Sequence, residues 1–597
     1  MKSFFRMIFA SAIGTGLVLG LIFFVFIGSI VGAVGMSQQS EWKKPKKGGQ
    51  KDILTVSFNG PIVEKSRKVD VVEALLGYNE TPTTGLYELT ETLAAAAKDE
   101  NIKGLYLDLK NVAAGWAHLE TLRREIAKFK DAGKFVVAFG ETYSERSYYL
   151  ASIADEIILY PRGFFEWDGM YVSGVYFKNA MDRWDVKPQI FRVGKYKSAI
   201  EPFITDQMSE ASREQLTAIL GSTWETLSQA VAEARQVRPE DLDTWADEAS
   251  IIYAQDAFEK KLVDLLGSYE EVETRLMDLT KAKEEPGYYE WQTYHKEKVE
   301  NFGATFDDKV AVIFADGEIV SGRGDRERIG SSQYAGIMRD IAKDENIKAV
   351  VLRINSPGGS ALASDVMWTS SQFLKDKKPI VASFGNVAAS GGYYMSAGAN
   401  YIMAEETTVT GSIGVFGLNF QTDQFFKTHV GLTFDTQKTH TMADSDSTNR
   451  ALTPEERIKM QGVVDRIYQD FLNVVTQGRP ELASVEESHE VAQGRVWIGS
   501  DAKKNGLVDD FGGLNEAIGK SAKLANLKDY QVVTYPKAKS QVEEFMGQFA
   551  EASTKVLTHW IPESLKSLYK NAVDAKLGPK ELSEKIYTRM PYDIKVR

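Results

Sequence analysis

The sequence contains no cysteine. Disulfides, thiol nucleophiles and cysteine metal sites are therefore excluded, although this alone names no compartment. Histidine is scarce: the six copies, His118, His295, His429, His440, His489 and His559, form no H-E-x-x-H or similar close pair, so no metal is expected. Basic surplus is also missing, and a net charge of -12 argues against nucleic acid as a partner, because phosphate binding needs basic surface. Neither the full G-x-x-x-x-G-K-[ST] pattern nor G-x-G-x-x-G occurs, which leaves little for a phosphate or dinucleotide cofactor, and no cofactor of any kind is expected.

A long apolar run occurs once, at the start. Residues 7–36 carry no charge, and the core of this stretch, LVLGLIFFVFI at 17–27, is strongly apolar. Roughly 20 apolar residues span a bilayer. A cleavable signal peptide is the rival, but its apolar region is typically about 7–15 residues, so the length favours a retained anchor over 1–36. Lys2 and Arg6 precede the run, while Lys43, Lys44, Lys46 and Lys47 come after it. Flanking charge thus gives no clean orientation, and a bare count leans against an exported domain. Residues 37–51 read as a Lys- and Gly-rich linker.

Beyond the linker the chain is duplicated. KDENIK at 98–103 recurs letter for letter at 343–348, an offset of 245, and each copy leads into a β-like segment, GLYLDL at 104–109 and AVVLRI at 349–354. DA with LVD, at 256–257 and 262–264, recurs at 501–502 and 507–509, again 245 residues on. ILTVSFNG at 53–60 matches VAVIFADG at 310–317. At 597 residues the chain exceeds one ordinary core, and the repeats divide it into copies over 52–300 and 308–540. Short apolar strands alternate with helical stretches such as 87–98 and 332–343, which predicts an α/β fold with mainly parallel strands. Sites in such sheets lie outside the carboxyl ends of the strands. Residues 541–597 break the repeat, and Phe545, Phe549, Val556 and Trp560 fall near one face of an expected helical tail.

Two turns differ between the copies. In the second, FGNVAASGGYYMSAGA at 384–399 places Ser390 after a β-like run, between two alanines and two glycines. Small neighbours suit a nucleophile that substrate approaches closely, although a tight turn packed on a helix needs them for the same steric reason. At the 245 offset the first copy has Glu145 and Arg146 for Ser390 and Gly391, yet keeps Phe139-Gly140 and Tyr148-Tyr149 for Phe384-Gly385 and Tyr393-Tyr394. The turn survives without the serine. Likewise NSPGGS at 355–360 faces KNVAAG at 110–115. Paired glycines offer free backbone N–H groups, the hardware of an oxyanion hole.

A serine nucleophile needs a base. Only His429 and His440 lie in the same half at a plausible distance along the chain. The first copy offers FRVGKYKSAIEPF at 191–203, with Lys195 and Lys197, whereas TFDTQKTH at 433–440 has lost the Y-K-S sequence. Serine kept in one half and the lysine motif in the other would make one composite site.

Taken together, YKSAIEPF (196–203), NSPGGS (355–360), AASGGYY (388–394) and TGSIGVFG (410–417) resemble the long, tandem-repeat form of the bacterial signal peptide peptidase A family. The resemblance covers nearly the whole chain. It implies a Clp protease/crotonase-like fold and a serine peptidase with a Ser–Lys dyad that degrades cleaved signal peptides. It also implies a single-pass protein of the bacterial inner membrane, its catalytic part on the periplasmic side. By the same resemblance Ser390 is the nucleophile, Lys197 the general base, and Ser412 the residue that orients the lysine. Gly358, Gly359 and Gly391 mark the oxyanion-hole region, and Lys195 is the less favoured base. Peptides and the membrane are the expected partners, together with further copies of the chain in a homo-oligomer, a tetramer among the options. The rival readings are a crotonase-like acyl-CoA enzyme and a non-catalytic membrane scaffold.

Overall fold

The computed structural model describes residues 51–58, 60–66, 82–110, 112–282, 286–300, 306–325 and 327–537, together with the backbone of Ile586–Arg589. The expected anchor over 1–36 and nearly all of the linker over 37–51 lie outside these residues. Among the described residues no helix is long and apolar enough to cross a membrane. Of the stretch over 541–597, expected to be helical, only Ile586–Arg589 is described, and it is a strand.

Each repeat builds one sheet. In the first, the strands run in the order Leu265–Leu266, Glu156–Phe165, Phe135–Tyr143, Gly104–Asp108, Lys51–Ser57 and Gly287–Glu290, and all pairs are parallel. The second repeats this order with Asp510–Phe511, Tyr401–Ala404, Ile380–Ala389, Ile347–Ser356, Lys309–Asp316 and Gln531–Tyr535. Its central strands are buried on both faces, which is why they read as apolar runs without alternation. Parallel neighbours require crossovers, and Leu86–Lys98, Trp116–Asp131, Ser331–Lys343 and Ala361–Lys375 supply them. Val409–Gly411 and the antiparallel Val496–Ile498 extend the second sheet beyond Ile380–Ala389.

A third sheet crosses between the repeats, in the order Arg328–Gly330, Glu318–Val320, Gly358–Ser360, Ile586–Arg589, Val415–Gln421 and Lys187–Val193. Lys187–Val193 belongs to the first repeat and pairs antiparallel over seven positions with Val415–Gln421 of the second, from Val193 opposite Val415 to Lys187 opposite Gln421. Chain from one copy is thereby carried to the carboxyl ends of the other copy's strands. After that strand, Ser209 caps the helix Glu210–Arg235 with its side chain, and Thr453 caps Pro454–Gly478 in the same way, with Glu456 closing a capping box. These matched caps set the correspondence of the stretch between them, which the sequence leaves unaligned around 433–440.

The repeats also meet through the helix Trp116–Asp131. Its Glu120 accepts hydrogen bonds from the backbone N–H groups of Glu406 and Thr407, at 3.0 and 2.9 Å, and its Arg124 makes a two-pronged ion pair with the buried Glu405. Burial, and the nearby charge of Glu405, push the Glu120 carboxyl up to about 8.

Candidate active site

Strand Ile380–Ala389 ends at Ser390, and the helix Gly391–Ser396 begins on the next residue. The serine sits at φ 55°, ψ -114°, a region that costs a non-glycine residue about 1–3 kcal/mol and persists only where its surroundings enforce it. Its own N–H donates to the Gly411 carbonyl at 2.8 Å, which holds the turn against Val409–Gly411. Gly392 is required here, because a Cβ on it would lie 2.9 Å from the Ser356 carbonyl oxygen. The helix after the serine is thus packed directly against the loop that carries Gly358 and Gly359.

Lys197 arrives from the other repeat. Beyond Lys187–Val193 the chain turns at Gly194, the Tyr196 N–H donates to the Gln493 carbonyl at 3.0 Å, and Gln215 bonds Ser198 Oγ on one side and the Val496 N–H on the other. Glycines of the second repeat make room for the lysine. A Cβ on Gly494 would fall 2.7 Å from both Cβ and N of Lys197, and one on Gly414 would fall 3.3 Å from its Cδ. The side chain ends fully buried, with Nζ 2.9 Å from Ser390 Oγ, 2.9 Å from Ser412 Oγ and 2.9 Å from the Ser412 carbonyl oxygen. Burial pulls its pKa well below the usual lysine value. Among the described residues no carboxylate pairs with it, so no opposite charge offsets its burial. A neutral amine can donate twice, to the two oxygens of Ser412, and keep its lone pair for the Ser390 hydroxyl proton. That is the arrangement a general base needs.

The other candidate bases lie elsewhere. Lys195 is exposed, its ammonium 3.3 Å from Tyr196 Oη. His440 is exposed and bonded to Thr439 Oγ1, and His429 faces Asp185 at 3.3 Å among Trp184 and Phe425. Of the glycines, Gly358 takes φ 96° and donates its N–H to Ser356 Oγ at 3.2 Å. Gly359 sits opposite Ile319, so close that a Cβ would meet that backbone oxygen at 2.0 Å. Gly391 opens its helix, where the first amides have no intrahelical acceptor. In the first repeat the matching turn is filled differently. Glu145 stands where Ser390 would, its carboxyl pushed up to about 7 by burial, beside a cavity of about 260 Å³ lined by Ser144, Arg146, Glu166 and Asp168 among others.

Because Ser412 supplies two of the lysine's three neighbours, Ser412→Ala is expected to lower kcat roughly 10- to 100-fold with little change in KM, the cost of one hydrogen bond to a buried group. Steady-state kinetics on a peptide substrate would check it.

A buried serine within hydrogen-bond reach of a buried lysine fits acyl transfer, and known proteins agree with that class. The chain belongs to peptidase family S49, whose model matches it twice, over residues 128–283 and 372–528. It is 34% identical over 567 residues to Protease 4 of Salmonella typhi, covering 92% of this chain and 89% of that one. It is 31% identical over 590 residues to Protease 4 of Haemophilus influenzae, covering 93% of each. The chloroplastic serine protease SPPA of Arabidopsis thaliana is 32% identical over 504 residues, covering 83% of this chain and 72% of that one. Among solved structures, a ClpP1 mutant from Listeria monocytogenes covers 36% of this chain and 95% of its own at 11% identity, with a TM-score of 0.22 that lends no weight to a shared fold. The protein is a serine peptidase, a hydrolase of peptide bonds.

Sequence reasoning misses several residues that frame this site: Gly494 and Gly414 beside the lysine, Gln215 behind it, and a buried polar cluster around Arg353. A charged residue inside the apolar run AVVLRI is the available signal for the last.

Proposed function

We propose that the chain is a membrane-anchored serine endopeptidase that degrades cleaved signal peptides, with Ser390 as nucleophile, Lys197 as general base and Ser412 orienting the lysine. The observation that carries this reading is the 2.9 Å approach of Lys197 Nζ to Ser390 Oγ in a fully buried setting. The neutral amine takes the hydroxyl proton as Oγ attacks the peptide carbonyl. The oxyanion is met by N–H groups of the Gly358, Gly359 and Gly391 region, the leaving amine takes the proton from Nζ, and an ester to Ser390 forms. Water, deprotonated by the same amine, then releases the acid. The proposed fold is Clp protease/crotonase-like, and the proposed location is the bacterial inner membrane. The anchor reading rests on the uncharged apolar run over 7–36.

An extended peptide is the fitting substrate shape. Ile586–Arg589 of the chain itself lies antiparallel between Gly358–Ser360 and Val415–Gln421, so those two edges can accept one strand between them. A homo-oligomer, a tetramer among the options, is supported by the repeat. The counterpart of Val415–Gln421 is 170–176, and that of Lys187–Val193, by the caps 244 residues apart, is 431–437; neither forms a strand, and they expose Tyr171, Val175, Leu432 and Phe434. A second copy could pair one with the other.

The test uses a fluorophosphonate probe on the purified full chain, and then a synthetic signal peptide as substrate. Labelling is expected at Ser390 in the wild type and absent in Ser390→Ala and Lys197→Ala, with the peptide cut only by the labelled protein. Labelling that persists in Lys197→Ala would refute the dyad. Turnover of an acyl-CoA thioester without peptide cleavage would favour the crotonase-like alternative.

A further inference from the structure

The strand that delivers Ser390 is irregular just before it. Ile354 pairs with Phe384 and Ser356 with Ala388, so two steps along one strand face four along the other, and the chain bulges over Gly385, Asn386 and Val387. A bulge breaks ladder bonds, and here side chains replace them. Arg353 Nη1 donates to the Phe384 carbonyl at 2.6 Å, Thr408 Oγ1 donates to the Gly385 carbonyl at 2.9 Å, and the Val387 N–H donates to Asn355 Oδ1 at 3.2 Å.

Two further supports come from the first repeat. The His118 backbone N–H donates to Asn386 Oδ1 at 3.1 Å. Glu64 accepts from Arg353 Nε at 2.8 Å and lies 2.9 Å from His118 Nε2, and all three side chains are buried. Glu64 also touches the bulge itself, since a Cβ on Gly385 would lie 2.2 Å from its Oε1. Burial pushes the Glu64 carboxyl up, but Arg353 and His118 outweigh it and hold it at about 2. The carboxylate can therefore only accept, and the proton bonding it from His118 is on Nε2.

Burying such a group of charges is expensive, and apolar residues of the same volume often do as well or better for stability. The first repeat shows that the fold does without it. At the 245 offset Asp108 stands for Arg353, Lys110 for Asn355, Glu141 for Asn386 and Gly163 for Thr408, while Phe139-Gly140 keeps the backbone of the turn. There Gly104–Asp108 pairs only with Phe135–Phe139, and the shift in Phe135–Tyr143 falls between Gly140 and Thr142, against Glu156–Phe165 on its other side. The side chains that support the bulge are thus present where the serine is present and replaced where it is absent.

We propose that Glu64 and His118 are positioning residues for Ser390: through Arg353 and Asn386 they fix the bulge, so the first repeat sets the aim of the serine as well as facing it with a lysine. This inference rests on Ser390 being the nucleophile. A misplacement of about 1 Å at a reacting atom costs about 10²-fold in rate.

The test counts active sites by fluorophosphonate titration and reports kcat per titrated site, with KM and the melting temperature measured alongside. Asn386→Ala and Glu64→Gln are expected to lower kcat per site by roughly 10- to 100-fold, with KM within about twofold. Thr534→Val, which removes the Lys65 Nζ bond of 2.8 Å across the same two repeats, should keep kcat per site at the wild-type value. Should Glu64→Gln leave Arg353 unpaired and fail to fold, Asn386→Ala decides alone. Wild-type kcat per site in the folded variants, with fewer sites or a lower melting temperature, would overturn the proposal by making the cluster merely structural. A wild type that takes no label at Ser390 would instead strike at the nucleophile assignment.

Discussion

Lys197→Met is expected to abolish turnover, with kcat down by about 10⁴-fold, and at the same time to change how stability responds to pH. The activity loss comes from removing the basic group that faces Ser390, and pairing it with Ser390→Ala should cost no more than either change alone, because the two act as one unit. Wild-type kcat/KM should rise with pH through the lysine's lowered pKa and level off above it, since the working form is the neutral amine. The stability effect has the opposite origin. A lysine that is neutral when folded and protonated when unfolded means that the unfolded state binds the extra proton between the lowered pKa and the ordinary value near 10.4. Wild-type stability therefore climbs with pH across that window, while Lys197→Met lacks this slope. The methionine variant's melting temperature relative to wild type should be most favourable near neutral pH and should lose ground steadily towards pH 10. A difference that stays flat with pH would mean that the lysine is charged in the folded protein.

Gly494→Ala is expected to lower kcat by about 10²- to 10³-fold without touching any group that carries out chemistry. The glycine takes φ 76°, and the added methyl group would meet the backbone nitrogen, Cα and Cβ of Lys197 at 2.7–2.8 Å. None of those atoms belongs to a flexible chain end, so the lysine loop has to move, and Nζ moves with it. Gly462→Ala is the matched comparison. It lies within the helix Pro454–Gly478 with nothing within 4 Å of the new methyl, so activity should be unchanged and stability should rise by roughly 0.5–1 kcal/mol. Equal kinetics for the two variants would show that the packing beside Lys197 is not what holds it in place.

How much of the fold and site is legible in the sequence depends on the reach of each signal. The duplication, the alternation of strands and helices, and the serine turn are written in contiguous stretches, and the contrast of Ser390 with Glu145 separates chemistry from fold without any coordinates. Lys197 is legible because a motif is lost in one copy and kept in the other. The Glu64–Arg353 pair joins residues 289 positions apart, and neither neighbourhood carries a pattern that names the other. Gly494 looks like any turn glycine until the atoms beside it are known. The register of the lysine loop against 433–440 is lost because the residues there diverge, although the caps at Ser209 and Thr453 restore it. Ile586–Arg589 is hidden for a different reason. A short segment within a stretch that reads as helical gives no periodic signal of its own, and it becomes a strand through the two edges it joins.

That strand also changes what a kinetic constant measures here. A segment of the same chain is seated between Gly358–Ser360 and Val415–Gln421 and occupies both edges. A peptide that paired with the same two edges would have to displace it, which would favour long extended peptides that gain bonds along both edges. Under the proposed reading, a selectivity that looks like a property of the pocket would in part be a contest with Ile586–Arg589.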